Sequence, residues 1–480
     1  MLCKKKIMLL LLTVVFLFSS QQAIVVFASS DPGQSSAVAA DVDAQEEATK
    51  ADAVSLRFSS EQYPGESFST LKLRSEQWSF RFRRDARLSV TSERPVRQLY
   101  FQFEKPCEWT LTTSDGTVFH RGGNGFIHDY IDLGQSVSNF TVDVSQDTYL
   151  TGVFGFTEGE TPGWVQKWLP PCDAADLLVL PTHADDEFLW FGGALPYYAG
   201  ELGYNVQVVY LTNHYEQTYR EHERLNGLWS VGVRHYPIVC ERFTDSIITK
   251  RYEWAVEKFG WENVLAFQVE MLRRFRPRVV IGHDIKGEYG HGTHILNAET
   301  LLKALELTND PTAYPDSAEK YGLCSVQKCY LHLWNENCIT VKWEDLKLSK
   351  FGDKSAMRMA DQGFARHVSQ YYFYNNPSAG QYNCRLFGLA YTNVGYDTPD
   401  RNDMFEHVDW TERARVYPSS PVEEAVVSAT DAPPDMPDQA VSDPAENAIP
   451  TQYLLLAGGG VAVLLFTAGL VWRIHKRKVR

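Results

Sequence analysis

After Pro170-Pro171 the chain settles into a rhythm that few folds accept: short, nearly unbroken apolar runs alternate with longer amphipathic stretches. Leu177-Leu178-Val179-Leu180 and Val206-Gln207-Val208-Val209-Tyr210-Leu211 show no regular alternation of apolar and polar residues. A strand of that kind is stable only where both of its faces are covered. Helices are expected over residues 187–199, 219–231, 261–275 and 295–307, with one more strand over 278–282. Strands taken in turn with helices predict an α/β domain over residues 172–417, built on a Rossmann-like, mostly parallel sheet. Ligands of such sheets sit in the crevice beyond the carboxyl ends of the strands, so chemistry is expected there.

Residues 55–163 read differently. Leu99-Tyr100-Phe101-Gln102-Phe103, Trp109-Thr110-Leu111 and Phe140-Thr141-Val142-Asp143-Val144 are short strand-like runs, divided by turn sequences such as Ser114-Asp115-Gly116. That pattern predicts a small all-β, sandwich-like domain ahead of the α/β domain. Its aromatics, Trp78, Phe80, Tyr100, Phe119 and Tyr130, suit core packing, with stacking on sugars as the alternative.

The two ends set the expected compartment. Lys4, Lys5 and Lys6 precede an apolar run, and Val26-Phe27-Ala28 offers a small residue for cleavage, so residues 1–28 read as an export signal. Residues 453–472 carry no charge and are long enough to span a bilayer as a helix. The basic tail 473–480 would then lie in the cytoplasm. Ile449-Pro450-Thr451-Gln452 departs from a sortase signal, which favours retention in the membrane. Residues 29–54 and the acidic, Pro/Ala-rich stretch 418–452 read as linkers that bury too little apolar surface to order themselves. The expectation is a single-pass membrane protein with an extracellular catalytic ectodomain. A net charge of −14 argues against nucleic acid as partner, because neutralising phosphates needs a basic face. Of eight cysteines, Cys3 falls in the signal, and the remaining odd number cannot all pair within the chain. Nothing in the sequence specifies an oligomeric state.

The first strand of the α/β region leads into His183-Ala184-Asp185-Asp186-Glu187. A later strand leads into His283-Asp284 and then Gly287-Glu288-Tyr289-Gly290-His291-Gly292-Thr293-His294. Two strand ends therefore carry His183, Asp185, Asp186, His291 and His294 towards one crevice. Two imidazoles and one carboxylate make a three-ligand zinc site with a fourth position left open, the catalytic arrangement, and a second carboxylate beside them can take a proton from water.

These two segments resemble the paired motifs of the PIG-L/LmbE-like family of zinc-dependent N-deacetylases, which remove acetyl from N-acetylglucosamine units. The family pattern is a strand, then His-Pro-Asp-Asp-Glu, and much later Tyr-Gly-His-Pro-Asp-His. The resemblance spans about half the chain, residues 176–407. It implies that His183, Asp186 and His294 are the zinc ligands and that Asp185 is the general base. It implies further that His291 stabilises the oxyanion or protonates the leaving amine, while Tyr289 polarises the acetyl carbonyl. Arg220, with Glu223, resembles a family Arg-x-x-Glu pair beside the pocket, an ordinary surface ion pair being the alternative. Asp245 stands where the family often holds an acidic substrate contact, with turn capping as the alternative. Arg366-His367-x-Ser369-Gln370 resembles a late family segment, but on a helix it reads as packing or capping. Two departures are visible: Ala184 replaces the proline of the first motif, and Gly292-Thr293 replaces Pro-Asp in the second.

The expected function is therefore a Zn2+-dependent deacetylase of N-acetylated amino sugars in extracellular or surface glycans. The rivals are a surface glycan-binding protein with an idle catalytic domain and a zinc hydrolase of another N-acyl amide.

Overall fold

The computed structural model describes residues 50–60, 67–69, 80–372, 374, 376–411, 413 and 415–418, all within one compact unit. The expected export signal, most of the expected first linker, and the segments 419–480 read as an acidic linker, membrane span and basic tail lie outside the described residues. Among the described residues, no helix is long and apolar enough to cross a membrane.

Among the described residues, the β region forms a single connected sheet of nine strands. Its spine is the antiparallel pair Leu88–Phe103 and His128–Val144, which bends through irregularities in register between Thr91 and Gln98. Along Leu88–Phe103 the first residues alternate between buried and exposed, as the sequence pattern requires. The region starts earlier than expected: Ala53–Val54 pairs with Gly155 and Phe156, and Lys50 bridges to Glu160. Buried Ala51 and Val54 supply apolar anchorage that the acidic composition of the linker obscures. Tyr100 is fully buried, with its hydroxyl 2.8 Å from His128 Nδ1, and Phe119 packs against the sheet's core. The Tyr130 hydroxyl donates to Gln98. These rings are tied into the region's interior, whereas Trp78 and the side chain of Phe80 lie outside the described residues.

The α/β region is built on a seven-stranded sheet. Its order is Ile238–Val239, Val206–Tyr210, Leu177–Val179, Val279–Gly282, Lys328–His332, Leu386–Thr392 and Cys338–Thr340. The first five strands are parallel and the last two run antiparallel to their neighbours. From the central strand Leu177–Val179 the chain winds outwards through Val206–Tyr210 to Ile238–Val239. It then returns to the centre and winds the other way. The reversal falls between Leu177–Val179 and Val279–Gly282, the two strands that lead into the histidine-bearing segments. A crevice opens at such a switch point because neighbouring connections leave on opposite faces. Separate hydrophobic clusters cover the two faces of this sheet, which is why its central strands are buried throughout.

One expected helix is broken. Residues 187–199 divide into Asp186–Leu189 and a π-helical turn, Leu195–Glu201. Between them Gly192 adopts φ 53°, and a side chain at Gly192 or Gly193 would run into the fully buried Trp343. Tertiary packing of one large ring overrides the helical period here. The helix Tyr252–Phe259 was not foreseen, while Tyr219–Ser230, Trp261–Phe275 and Gly292–Leu307 fall close to expectation.

The two regions share a polar junction. His128 Nε2 lies 2.7 Å from His222 Nδ1, the Ile127 N–H donates to the Tyr236 hydroxyl, and Gln166 donates to Asn226. All seven described cysteines are free thiols, and six are buried.

Candidate active site

At the switch point, His183 Nδ1, Asp186 Oδ2 and His294 Nε2 meet. Their separations are 3.1 Å between His183 and Asp186, 3.1 Å between His183 and His294, and 3.3 Å between Asp186 and His294. Donor atoms bound at about 2.0–2.1 Å in a tetrahedron stand roughly 3.3 Å apart, so this triangle is one face of a zinc-sized coordination shell. The lone pairs are held in place from behind. The Asp186 Oδ2 also accepts the His183 backbone N–H at 2.7 Å, and its Oδ1 accepts from Trp190 Nε1 at 2.8 Å. His294 presents Nδ1 to Glu288 Oε2 at 2.7 Å, which leaves Nε2 free to ligate. His183 presents Nε2 to Asp245 Oδ1 at 3.5 Å.

The electrostatics favour a cation at this point. Burial alone would lower the basicity of His183, but Asp245 and Asp186 outweigh it and hold the ring up to about 10. His294 is likewise raised, to about 9, by Asp186 and Glu288 against the effect of burial. Asp186 is held well below the usual carboxylate range by the same histidines, although burial opposes it. A site that binds protons this firmly has the charge balance of a divalent metal site, and metal binding would release them.

Two further imidazoles crowd the triangle. His283 stacks on His294 at 4.1 Å between ring centres, yet its Nε2 accepts the Thr182 N–H and its Nδ1 faces Glu288. Both ring nitrogens are thus committed, and His283 is a supporting residue rather than a ligand. His291 lies within the same group of donor atoms, and its Nδ1 has no hydrogen-bond partner among the described residues. Burial and the neighbouring His183 and His294 lower it to about 2, so the ring is neutral.

Glu288 ties these rings together. Fully buried, it accepts from His283 and His294 at Oε2 and from His332 and the Asp284 N–H at Oε1. Sequence reasoning passed over it, though a lone carboxylate inside a glycine-flanked histidine segment was a usable signal. His332, from the next strand, had no sequence signal at all.

Asp185 and Tyr289 line the same cavity of about 460 Å³, with His183, Asp186, Arg220, Asp245 and His291. The carboxyl of Asp185 is raised by burial, an effect that Arg220 opposes. Asp185 stands at φ 126°, ψ −29°, and Tyr289 at φ 48°, ψ 27°. Such backbones cost non-glycine residues about 1–3 kcal/mol and are typical of functional sites. The Tyr289 ring is half-exposed and packs against Trp190 and His291.

Arg220 and Asp245, the two residues expected to contact substrate, both line the cavity and also bond to its other residues. Arg220 is buried; its guanidinium donates to the Ala184 carbonyl at 2.5 Å and faces Asp185 at 3.4 Å and Asp245 at 3.8 Å. No ion pair joins it to Glu223, which accepts from the N–H and hydroxyl of Ser369. Asp245 reaches the cavity and faces His183, His214 and Arg220. The departures from the family motif acquire reasons here. The Ala184 N–H donates to His214 Nε2 at 3.1 Å, a bond that proline cannot make. A Cβ on Gly292 would lie 2.3 Å from the backbone of Arg251 and Tyr252, so no side chain fits there.

The fold and this donor set form an α/β site whose residues could hold a metal ion. No protein-family profile matches the chain. A 1D-myo-inositol 2-acetamido-2-deoxy-α-D-glucopyranoside deacetylase of Catenulispora acidiphila is 25% identical over 181 residues, 32% of this chain and 56% of the relative. That of Saccharopolyspora erythraea is 28% identical over 172 residues, 31% of this chain and 63% of the relative. The chain thus spans little more than half the length of the curated relatives it matches. Among solved structures, the N,N'-diacetylchitobiose deacetylase of Pyrococcus horikoshii aligns with a TM-score of 0.31 at 17% identity, over 41% of this chain and 71% of that one. Over about a third of its length, the chain is similar in sequence to these acetamido-sugar deacetylases.

Proposed function

We propose that this protein is a zinc-dependent hydrolase that removes the acetyl group from N-acetylated amino sugars. The observation that carries the reading is the triangle of His183, Asp186 and His294, with Asp185, His291 and Tyr289 around the same cavity. His183, Asp186 and His294 would hold a zinc ion, which would supply Lewis-acid chemistry at this point. Asp185 accepts the proton of the water, and its burial keeps the carboxylate basic enough to do so. His291 is neutral and can hydrogen-bond the developing oxyanion, while the proton taken up by Asp185 passes to the departing amine. Tyr289 offers its hydroxyl from the cavity rim. The products are acetate and the free amino sugar.

In this reading the substrate is an N-acetylglucosamine-type glycan met outside the cell, with the chain held to the membrane by residues 453–472. What supports that setting is the sequence of the two ends alone. The relatives named for acetamido-sugar deacetylation support the substrate class.

The test is acetate release by purified, zinc-reconstituted protein from N-acetylglucosamine and its oligosaccharides. Release that a chelator abolishes is expected. No release from any of them, with zinc bound at one per chain, refutes the reading.

A further inference from the structure

The strained backbone of Asp185 needs something to hold it. Its N–H donates to Glu187 Oε2 at 2.8 Å. The other oxygen of Glu187, Oε1, lies 2.9 Å from His367 Nε2, and both side chains are fully buried. His367 belongs to a segment far along the chain that sequence reasoning assigned to packing or capping. Its Nδ1 has no hydrogen-bond partner among the described residues, so the ring's polar contact is with Glu187. That one directed bond, to the carboxylate that also holds the Asp185 N–H, points to a positioning task.

The surroundings are shaped to admit this ring. Gly227 sits inside the helix Tyr219–Ser230, where glycine is unfavourable relative to alanine. A Cβ there would lie 3.1 Å from His367 Nε2 and 3.0 Å from Phe188. From the same helix, Glu223 accepts the Ser369 N–H at 2.8 Å and the Ser369 hydroxyl at 2.6 Å. That grip fixes the short helix Val368–Tyr371, and with it the residue just before, His367.

We propose that His367 and Glu187 are positioning residues for Asp185. The His367 Nε2–H fixes the Glu187 carboxylate, which in turn grips the Asp185 N–H and keeps the base turned into the metal-facing cavity. The consequence for turnover rests on the deacetylase reading; the consequence for the Asp185 backbone does not.

Two variants test it. His367→Leu removes the donor, whereas His367→Gln keeps an N–H near the position of Nε2. With an N-acetylglucosamine oligosaccharide, the Leu variant is expected to lose roughly tenfold or more in kcat, with KM within about twofold and zinc at one per chain. The Gln variant should recover most of that loss. Unchanged kcat in the Leu variant overturns the proposal, as does a joint loss of kcat, KM and zinc that Gln fails to rescue. Should the Leu variant not fold, Gly227→Ala presses on the same ring, and unchanged kcat there overturns the proposal equally. A crystal structure of the Leu variant needs no substrate: Asp185 should leave positive φ. Retention of that backbone overturns the proposal even if the wild-type protein releases no acetate, an outcome that would sink the deacetylase reading separately.

Discussion

Replacing Glu288 by glutamine is the sharpest test of how the metal site is held. The carboxylate is fully buried, and each of its oxygens accepts from two donors: His283 and His294 at one, His332 and the Asp284 N–H at the other. An amide has one oxygen and one NH2, so in either orientation a donor faces two donors. Hydrogen bonds to a charged group contribute about 1.5–3 kcal/mol each, which puts the total loss at roughly 3–6 kcal/mol. If the NH2 faces His294, the ligand loses the partner that fixes its tautomer, and zinc affinity should fall about 10–100-fold. If it faces His332, most of the loss appears as stability. Competition against a chromophoric chelator reads the first effect, and thermal unfolding with and without zinc reads the second. A variant with wild-type zinc affinity and wild-type melting temperature would show that Glu288 does not organise the site.

Asp185→Asn should keep one zinc per chain and lose about 10²–10⁴ in kcat, as expected for a general base; full activity would assign the proton transfer elsewhere. Gly292→Pro, which restores the residue usual in the family, should destabilise the protein by at least about 1–3 kcal/mol, because its side chain would meet the backbone of Arg251 and Tyr252. A melting temperature at or above wild type would contradict that packing. Acid should loosen the junction between the β and α/β regions: burial lowers His222 to about 4 and His128 well below its usual value. The unfolded chain takes up these protons near pH 6.5 while the folded one resists them, so the stability is present above that pH and is lost as pH falls towards 4. Each histidine contributes about 1.4 kcal/mol per pH unit in that window, and zinc-loaded His222→Gln protein should melt with a shallower acid slope. An equal slope in both proteins would refute the junction's role.

The parallel sheet and its two motif-bearing loops were legible in the sequence because their signals are local. Unbroken apolar runs mark covered strands, and a run of His183, Asp185 and Asp186 directly after a strand can only lie at that strand's end. Residue type narrowed the candidates to a few histidines and aspartates, and the resemblance to the paired deacetylase motifs assigned the ligands and the base among them. What supports those residues arrives from distant parts of the chain and leaves no periodic trace. His332 comes from another strand, His367 from a segment 180 positions beyond its partner Glu187, and Trp343 breaks a helix that its own sequence favours. The ion pairs that tie Arg220 and Asp245 to Asp185 and His183 were hidden in the sequence for the same reason. Local chemistry is set by residue type and spacing. Orientation is set by buried hydrogen bonds and close packing between segments far apart in sequence, and only the folded chain brings those together.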